Sequence, residues 1–202
     1  MDLEVKNREK INSINSIDQW VIEFKEGNEY AFNQLFTHFQ KSLYYFAMRL
    51  VTNHSDADEV VQKTFLQVYT HIHNFRGESS FKTWLYKIAI NLCKDHIKSK
   101  EQQVTKVTLE APSLKKLSAP FENPLNKLMT QDQSKVLLNK INLLSEQQKT
   151  TVVLRVFEDM PFKEIAFVLQ CKESTAKVHF HQAILKLKDL FKDGAPQKGD
   201  LL

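Results

Sequence analysis

Apolar residues along this chain recur three, four and seven positions apart, which is the spacing of one face of an α-helix. The pattern is clearest in residues 75–100, which read FRGESSFKTWLYKIAINLCKDHIKSK. One stripe of this stretch is predicted to face a core: Phe81, Leu85, Ile88 and Leu92. A second stripe predicts a basic face that also carries hydrogen-bonding groups: Thr83, Lys87, Asn91, Lys94 and Lys98.

The same spacing predicts three helices before this stretch. Ser16 is expected to cap the first helix, and Gly27-Asn28 to end it. Core packing explains the apolar spacing of the second helix, which includes Phe32, Leu35, Phe36, Phe39, Leu43, Phe46 and Leu50. Ser55 is expected to cap the third helix. The core stripe of that helix is Val61, Phe65, Val68 and Ile72.

The second half of the chain predicts a separate helical domain. Residues 101–123 lose the periodicity and contain Pro112 and Pro120, so they are predicted to be a linker. Asn123-Pro124 is predicted to start a helix, and Ser145 with Gln148 to form a capping box. A short helix after Pro161 and a longer one from about Ser174 to Phe191 predict a helix-turn-helix.

The predicted fold is therefore all-α, with two small helical domains on a flexible linker. The expected divisions are a loose N-terminus at 1–15, a first domain at 16–100, the linker at 101–123, a helix-turn-helix domain at 124–192 and a tail at 193–202. None of the four glycines (Gly27, Gly77, Gly194 and Gly199) interrupts a periodic segment, which favours helices throughout.

Composition narrows the possible functions. A net charge of +4 and a pI of about 8.9 are compatible with nucleic-acid binding without being diagnostic of it. Cys93 and Cys171 lack zinc-ligand spacing and suggest a reducing compartment. No apolar run is long enough to cross a bilayer, and a secretory signal is not evident, so we expect a cytoplasmic protein without membrane insertion.

Two surfaces could bind nucleic acid. The loop before the central helix carries the ring of Phe75, the guanidinium of Arg76 and the hydroxyls of Ser79 and Ser80. Together with the basic stripe, an exposed aromatic ring would suit an unpaired strand, through phosphate neutralisation, stacking and base-edge contacts. The alternative is an ordinary solvated lysine face beside a helix cap.

The second surface is the start of the last helix. In a helix-turn-helix, the N-terminal turns of the second helix enter the major groove. The outward candidates are Thr175, Lys177, Val178, His181 and Gln182. A hairpin that serves only as a protein contact is the alternative.

No catalytic site is predicted. The only close histidine pairs are His71 with His73 and His179 with His181. Residues two positions apart on a helix point in different directions, so neither pair suits a metal. The sequence has no nucleophile motif and no glycine-rich phosphate loop, and we predict neither a cofactor nor a metal.

The strings DADEVVQKTFLQVY and FRGESSFKTWLYKIAINLCKDHIKSK resemble the promoter-melting segment of extracytoplasmic-function (ECF) sigma factors. The string PFKEIAFVLQCKESTAKVHFHQAILKLKDL resembles their module for the −35 promoter element. The resemblance extends over roughly residues 16–191. Lys63, Gln170, His179 and Gln182 depart from residues that are common in the family.

The resemblance implies a sigma factor that binds bacterial core RNA polymerase and promoter DNA, and that an anti-sigma protein holds inactive. It implies a −10 base pocket formed by His73, Asn74, Phe75 and Arg76. Lys87, Lys94 and Lys98 would contact phosphates, Asn91 would read a base edge, and Glu59 and Gln62 would contact polymerase. The alternative is a stand-alone helix-turn-helix regulator that binds duplex DNA by itself, as a dimer.

Overall fold

The computed structural model describes residues 16–106 and 131–192. Within these ranges the secondary structure is helical, and no strand occurs. The chain divides into two compact units, with the division between Leu109 and Glu110. The predicted all-α fold with two helical domains is therefore confirmed.

The described residues of the first unit, 16–106, form four helices. Their bounds are α1 (residues 16–25), α2 (Glu29–Val51), α3 (His54–His71) and α4 (Phe81–Lys106), with a 3₁₀ turn at Ile72–Asn74. Helix α2 packs against α3 and α4, and α3 packs against α4. Ser16 is the first described residue and is helical, so the predicted cap at Ser16 remains a prediction. Helix α4 continues past its predicted end near Lys100 and takes in the first residues of the predicted linker.

The core of this unit follows the predicted stripe of α3, all four residues of which are buried, and most of the predicted stripe of α2. In α2, Phe32 and Phe36 are only half-buried, whereas the other stripe residues are buried: Leu35, Phe39, Leu43, Phe46 and Leu50. In α4 the prediction was partly wrong, because Ile88 and Leu92 are only half-buried. Among residues 81–100 of α4, the buried ones are Phe81, Thr83, Leu85, Tyr86, Ala89, Ile90 and Cys93. Since α4 contacts both α2 and α3, its buried face is wider than one stripe.

Helix α3 begins with a different cap from the one predicted. The side chain of Asn53 accepts hydrogen bonds from the backbone N–H groups of Ser55, at 2.9 Å, and Asp56, at 3.3 Å. Both residues are common caps, but Asn53 is the one with extended backbone immediately before the helix. The prediction that Ser55 caps α3 was therefore wrong.

The second unit is built around its last helix. The bounds are α5 (Gln131–Ile141), α6 (Glu146–Val152), a π-helical turn (Val153–Phe157), α7 (Phe162–Leu169) and α8 (Glu173–Lys192). Helices α5, α6 and α7 all contact α8. The capping box at α6 is confirmed, with Gln148 Oε1 accepting from the N–H of Ser145 at 3.3 Å. The helix start predicted at Asn123-Pro124 lies outside the described residues.

We predict that Asn53→Ala lowers the free energy of unfolding of the first unit by about 1 kcal/mol, because two N–H groups lose their acceptor. Ser55→Ala is the matched control and should change it by less than about 0.5 kcal/mol. Both tryptophans, Trp20 and Trp84, lie in the first unit, so urea denaturation followed by tryptophan fluorescence reports on this unit alone. Equal losses in the two variants would contradict the assignment of the cap.

Candidate nucleic-acid interface

The loop between α3 and α4 is attached to the core through Phe75. Only 8% of this residue is exposed. Its ring centroid lies 5.3 Å from that of Trp84 and 5.9 Å from that of Phe81, the second pair being edge-to-face. The expectation that Phe75 offers an exposed stacking surface was therefore wrong. A lone aromatic residue in a loop has no periodicity, so the sequence carries no signal of the side on which its ring lies.

The two serines of the loop serve the local backbone. Ser80 Oγ accepts from the N–H of Thr83 at 3.1 Å, and the hydroxyls of Ser80 and Thr83 are 2.7 Å apart. Ser80 therefore caps α4, and Thr83 is buried rather than part of an outward basic face. Ser79 Oγ donates to the carbonyl of Ser80 at 3.3 Å.

Four of the predicted loop residues are exposed to solvent: His73, Asn74, Arg76 and Ser80. His73 and Asn74 lie in the 3₁₀ turn before Phe75, and Arg76 follows it. Gly77 then has a φ of +75°, a backbone conformation that side-chain-bearing residues rarely adopt. The exposed polar groups therefore flank an inward-facing ring within one short, sharply turned segment.

The polar face of α4 continues away from this loop. Asn91 and Lys98 are exposed, and Lys87 and Lys94 are half-buried. Their spacing of four, three and four residues keeps all four on one side of the helix. Apart from Thr83, the predicted stripe is therefore accessible at the surface.

A cluster of ionisable side chains that joins α3 and α4 was not predicted from the sequence. Asp56, near the start of α3, is buried and lies 3.1 Å from His96 Nε2, and it also pairs with the Lys100 ammonium. The spacing of His96 and Lys100 places them on one side of α4. No sequence feature identified the carboxylate that they share.

Lys25, at the end of α1, is a second contact that was not predicted. Its ammonium donates to the carbonyl of Phe75 at 2.5 Å and lies 5.3 Å from the centroid of the Phe75 ring. The two residues are far apart in sequence, so no local pattern links them.

The outer face of α3 carries the residues predicted to contact polymerase. Glu59 and Gln62 are both exposed. Glu59 Oε1 lies 2.6 Å from Lys63 Nζ, and this hydrogen bond and charge lower the pKa of the Glu59 carboxyl. Lys63 therefore partly compensates the negative charge of this face.

In the second unit, α7, a tight turn and α8 form the predicted helix-turn-helix. Gln170 ends α7 in the left-handed conformation, with φ of 54° and ψ of 44°, and the N–H of Cys171 donates to the carbonyl of Ala166 at 3.0 Å. Phe162 and Phe180 pack edge-to-face across the hairpin, with centroids 5.5 Å apart. This contact fixes α8 against α7.

The predicted reading residues lie at the start of α8. Lys177, Val178, His181 and Gln182 are exposed, and Thr175 is half-buried. Lys177 Nζ lies 2.7 Å from a carboxylate oxygen of Glu173, so its charge is partly compensated. Four of the five candidates are thus accessible to a ligand.

Arg155, in the π-helical turn, contacts residues at the start of this hairpin. Its guanidinium donates to the carbonyl of Met160 at 3.1 Å and lies 5.2 Å from the centroid of Phe162. The turn therefore connects α6 to the start of α7 through a side chain as well as through the backbone.

Within residues 16–106 and 131–192, no group of three or more His, Cys, Asp and Glu side chains is arranged to hold a metal ion. Among those same residues, none of the helices combines the length and apolar character that a membrane span needs.

Comparison with known proteins shows the family. Residues 35–103 match the model for sigma-70 region 2, and residues 134–187 match that for sigma-70 region 4. The RNA polymerase sigma-H factor of Pseudomonas aeruginosa is 30% identical over 172 residues, which are 82% of this chain and 89% of that protein. The ECF RNA polymerase sigma-E factor of Haemophilus influenzae is 28% identical over 172 residues, covering 82% and 90% respectively.

Solved structures share the fold. CnrH, solved with the cytosolic domain of CnrY, has a TM-score of 0.64 at 20% identity and covers 90% of this chain and 98% of its own. The sigma factor RpoE of Bartonella quintana, solved with the anti-sigma factor NepR, has a TM-score of 0.62 at 21% identity and covers 81% and 98%.

The fold is that of a protein with two helical units, the second of which contains a helix-turn-helix. The matches to both sigma-70 regions, in order, and to full-length relatives make the class specific: the chain belongs to the ECF group of the sigma-70 family of RNA polymerase sigma factors. It therefore functions in the initiation of transcription, and sigma factors are initiation factors rather than enzymes.

We predict that Phe75→Ala lowers the free energy of unfolding of the first unit by about 3 kcal/mol, because it removes a buried ring. Arg76→Ala, at the exposed neighbouring position, should leave the stability nearly unchanged. Urea denaturation followed by tryptophan fluorescence measures both. A Phe75→Ala protein as stable as the parent would show that the ring is not part of the core.

Proposed function

We propose that the first unit captures the non-template strand of the −10 element as the promoter opens, and that the second unit reads the −35 duplex. The observation that carries this proposal is the exposure of two neighbouring sets of polar residues: His73, Asn74 and Arg76 in the loop, and Asn91 and Lys98 on the helix α4 that follows it. These residues supply base-edge donors and acceptors together with cationic groups, which an unpaired strand requires.

Strand capture must offset the cost of removing a base from the stack, a few kcal/mol. Lys87, Lys94 and Lys98 supply attraction to the phosphates, which releases counterions and makes binding salt-dependent. Asn91 supplies the amide that reads a base edge. His73, Asn74 and Arg76 form the rim of the base pocket, and the buried ring of Phe75 supports that rim instead of stacking on the base.

In the second unit, α8 enters the major groove with its first turns. Gln182 is suited to adenine through a bidentate contact, Lys177 to guanine or phosphate, and Val178 to a thymine methyl group. Thr175 and His181 complete the contact surface.

Glu59 and Gln62 on the outer face of α3 are proposed to contact core RNA polymerase. This interaction places the protein in the bacterial cytoplasm, where polymerase acts. RpoE of Bartonella quintana was solved with an anti-sigma factor, and this chain shares its fold. We therefore propose that an anti-sigma protein also controls this chain.

A gel-shift assay with promoter duplex, with and without core RNA polymerase, tests the function. A sigma factor should give a promoter-specific complex only with core enzyme, and transcript starts should move to the cognate promoter. Specific duplex binding by the chain alone, with two-fold half-sites, would instead identify a stand-alone regulator.

We predict that Asn91→Ala reduces open-complex formation about tenfold, because one base-edge contact is lost. Binding to core polymerase should not change. Permanganate reactivity of unpaired thymines measures opening, and Asn33→Ala, at an exposed position of α2, is the matched control. Open-complex formation equal to the parent would remove Asn91 from the site.

We predict that Gln182→Ala relaxes −35 preference at one base pair, with a loss of about 1–3 kcal/mol of discrimination there. In vitro transcription from promoters with randomised −35 elements measures the preference. Lys188→Ala, at an exposed position nearer the end of α8, should leave the base profile intact. An unchanged profile in Gln182→Ala would show that another residue reads this position.

A further inference from the structure

Helix α1 contacts the loop between α3 and α4, although the two are distant in sequence. Lys25 is the last helical residue of α1 and is half-buried. Its ammonium donates to the Phe75 carbonyl at 2.5 Å, and the same group lies 5.3 Å from the centre of the Phe75 ring. One cation therefore contacts both the backbone and the side chain of a single loop residue.

The contacted carbonyl marks the boundary between the fixed and the exposed parts of the loop. Phe75 itself is held by Trp84 and Phe81, and its N–H donates to the carbonyl of Ile72 at 3.0 Å. Arg76 and Gly77, immediately after it, are exposed. Because the carbonyl of Phe75 and the N–H of Arg76 share one planar peptide unit, a bond that fixes the carbonyl also fixes the direction in which Arg76 departs.

The end of α1 is itself well anchored. The N–H of Gly27 donates to the carbonyl of Phe24 at 3.0 Å, and the N–H of Asn28 donates to that of Glu23, also at 3.0 Å. Phe24 is buried and packs on Phe32 and Tyr69, with ring centroids 5.0 and 5.6 Å away. Lys25 therefore extends from a rigid support. Helix α1 also lies before residue 35, where the match to sigma-70 region 2 begins.

We infer that Lys25 is a positioning residue for strand capture: from α1, it holds the Phe75 peptide so that Arg76 and the base pocket are preorganised. The inference rests on the proposed function of the loop. Preorganisation raises affinity because less conformational freedom is lost when the strand binds. Lys25 acts through Phe75 and does not itself contact the strand.

The test compares Lys25→Met, Lys25→Arg and Lys41→Met in the full chain bound to core RNA polymerase. Methionine keeps an unbranched stem and removes the charge, whereas arginine can still donate to the carbonyl and lie over the ring. Lys41→Met removes one charge from an exposed position of the same unit. Fluorescence anisotropy with a single-stranded −10 oligonucleotide, measured over a series of salt concentrations, gives the affinity and its salt dependence.

We expect Lys25→Met to weaken strand binding about tenfold, as expected for the loss of a hydrogen bond from a charged donor. Lys25→Arg should restore most of the affinity, and Lys41→Met should resemble the parent. The slope of log K against log salt should be the same as in the parent. A slope shallower by about 0.7 would mean that Lys25 neutralises a phosphate directly, which would overturn the positioning role.

Amide hydrogen exchange separates positioning from general stability. In free Lys25→Met, the amides around Arg76 and Gly77 should exchange faster, while those of α2 and α3 remain as in the parent. Faster exchange throughout the unit, or unfolding of the variant, would make Lys25 a purely structural residue and overturn the inference. If Lys25→Met binds the strand as tightly as the parent does, the positioning role is also overturned. If the parent protein bound to core polymerase fails to bind the strand, the proposed function itself is refuted.

Discussion

The inward packing of the Phe75 ring is the contact on which the proposed strand-binding surface depends. Burial of a phenylalanine side chain contributes roughly 1.5–3 kcal/mol, which is enough to attach a short loop to a core. Here the ring lies against Trp84 and Phe81, so the loop is continuous with the aromatic interior of the first unit. The polar groups on either side of it therefore start from a defined position, although they are exposed.

Helical periodicity predicted most of this architecture, because the buried residues of a helix recur at regular intervals that are visible in the sequence. It gave the core stripe of α3 fully, and it located the hairpin of α7 and α8. Periodicity was less accurate for features that depend on a single residue, such as a helix cap or the direction of one loop side chain. Asn53 and Ser55 are both capable caps, and Phe75 has no repeating partner to indicate the direction of its ring. The contact of Lys25 with Phe75 joins residues 50 positions apart, so a local sequence pattern cannot reveal it.

The basic residues of α4 are divided between two roles that composition alone does not separate. His96 and Lys100 face α3 and surround the buried carboxylate of Asp56. A buried carboxylate is costly without partners, so the ammonium of Lys100 and the neighbouring imidazole of His96 stabilise the helix pair. Lys98, between them in sequence, is exposed on another side. A count of positive charges would therefore overstate how many of them are available to a phosphate backbone.

The turn of the helix-turn-helix carries a local strain with an evolutionary consequence. Gln170 adopts a left-handed conformation, with φ of 54°, that costs a residue with a side chain roughly 1–2 kcal/mol. Glycine would relieve that strain at a position outside the exposed start of α8. Replacement of Gln170 by glycine would therefore raise the stability of the hairpin. A lineage that acquired glycine there could tolerate more destabilising substitutions on the reading helix, and so could explore new promoter sequences more freely.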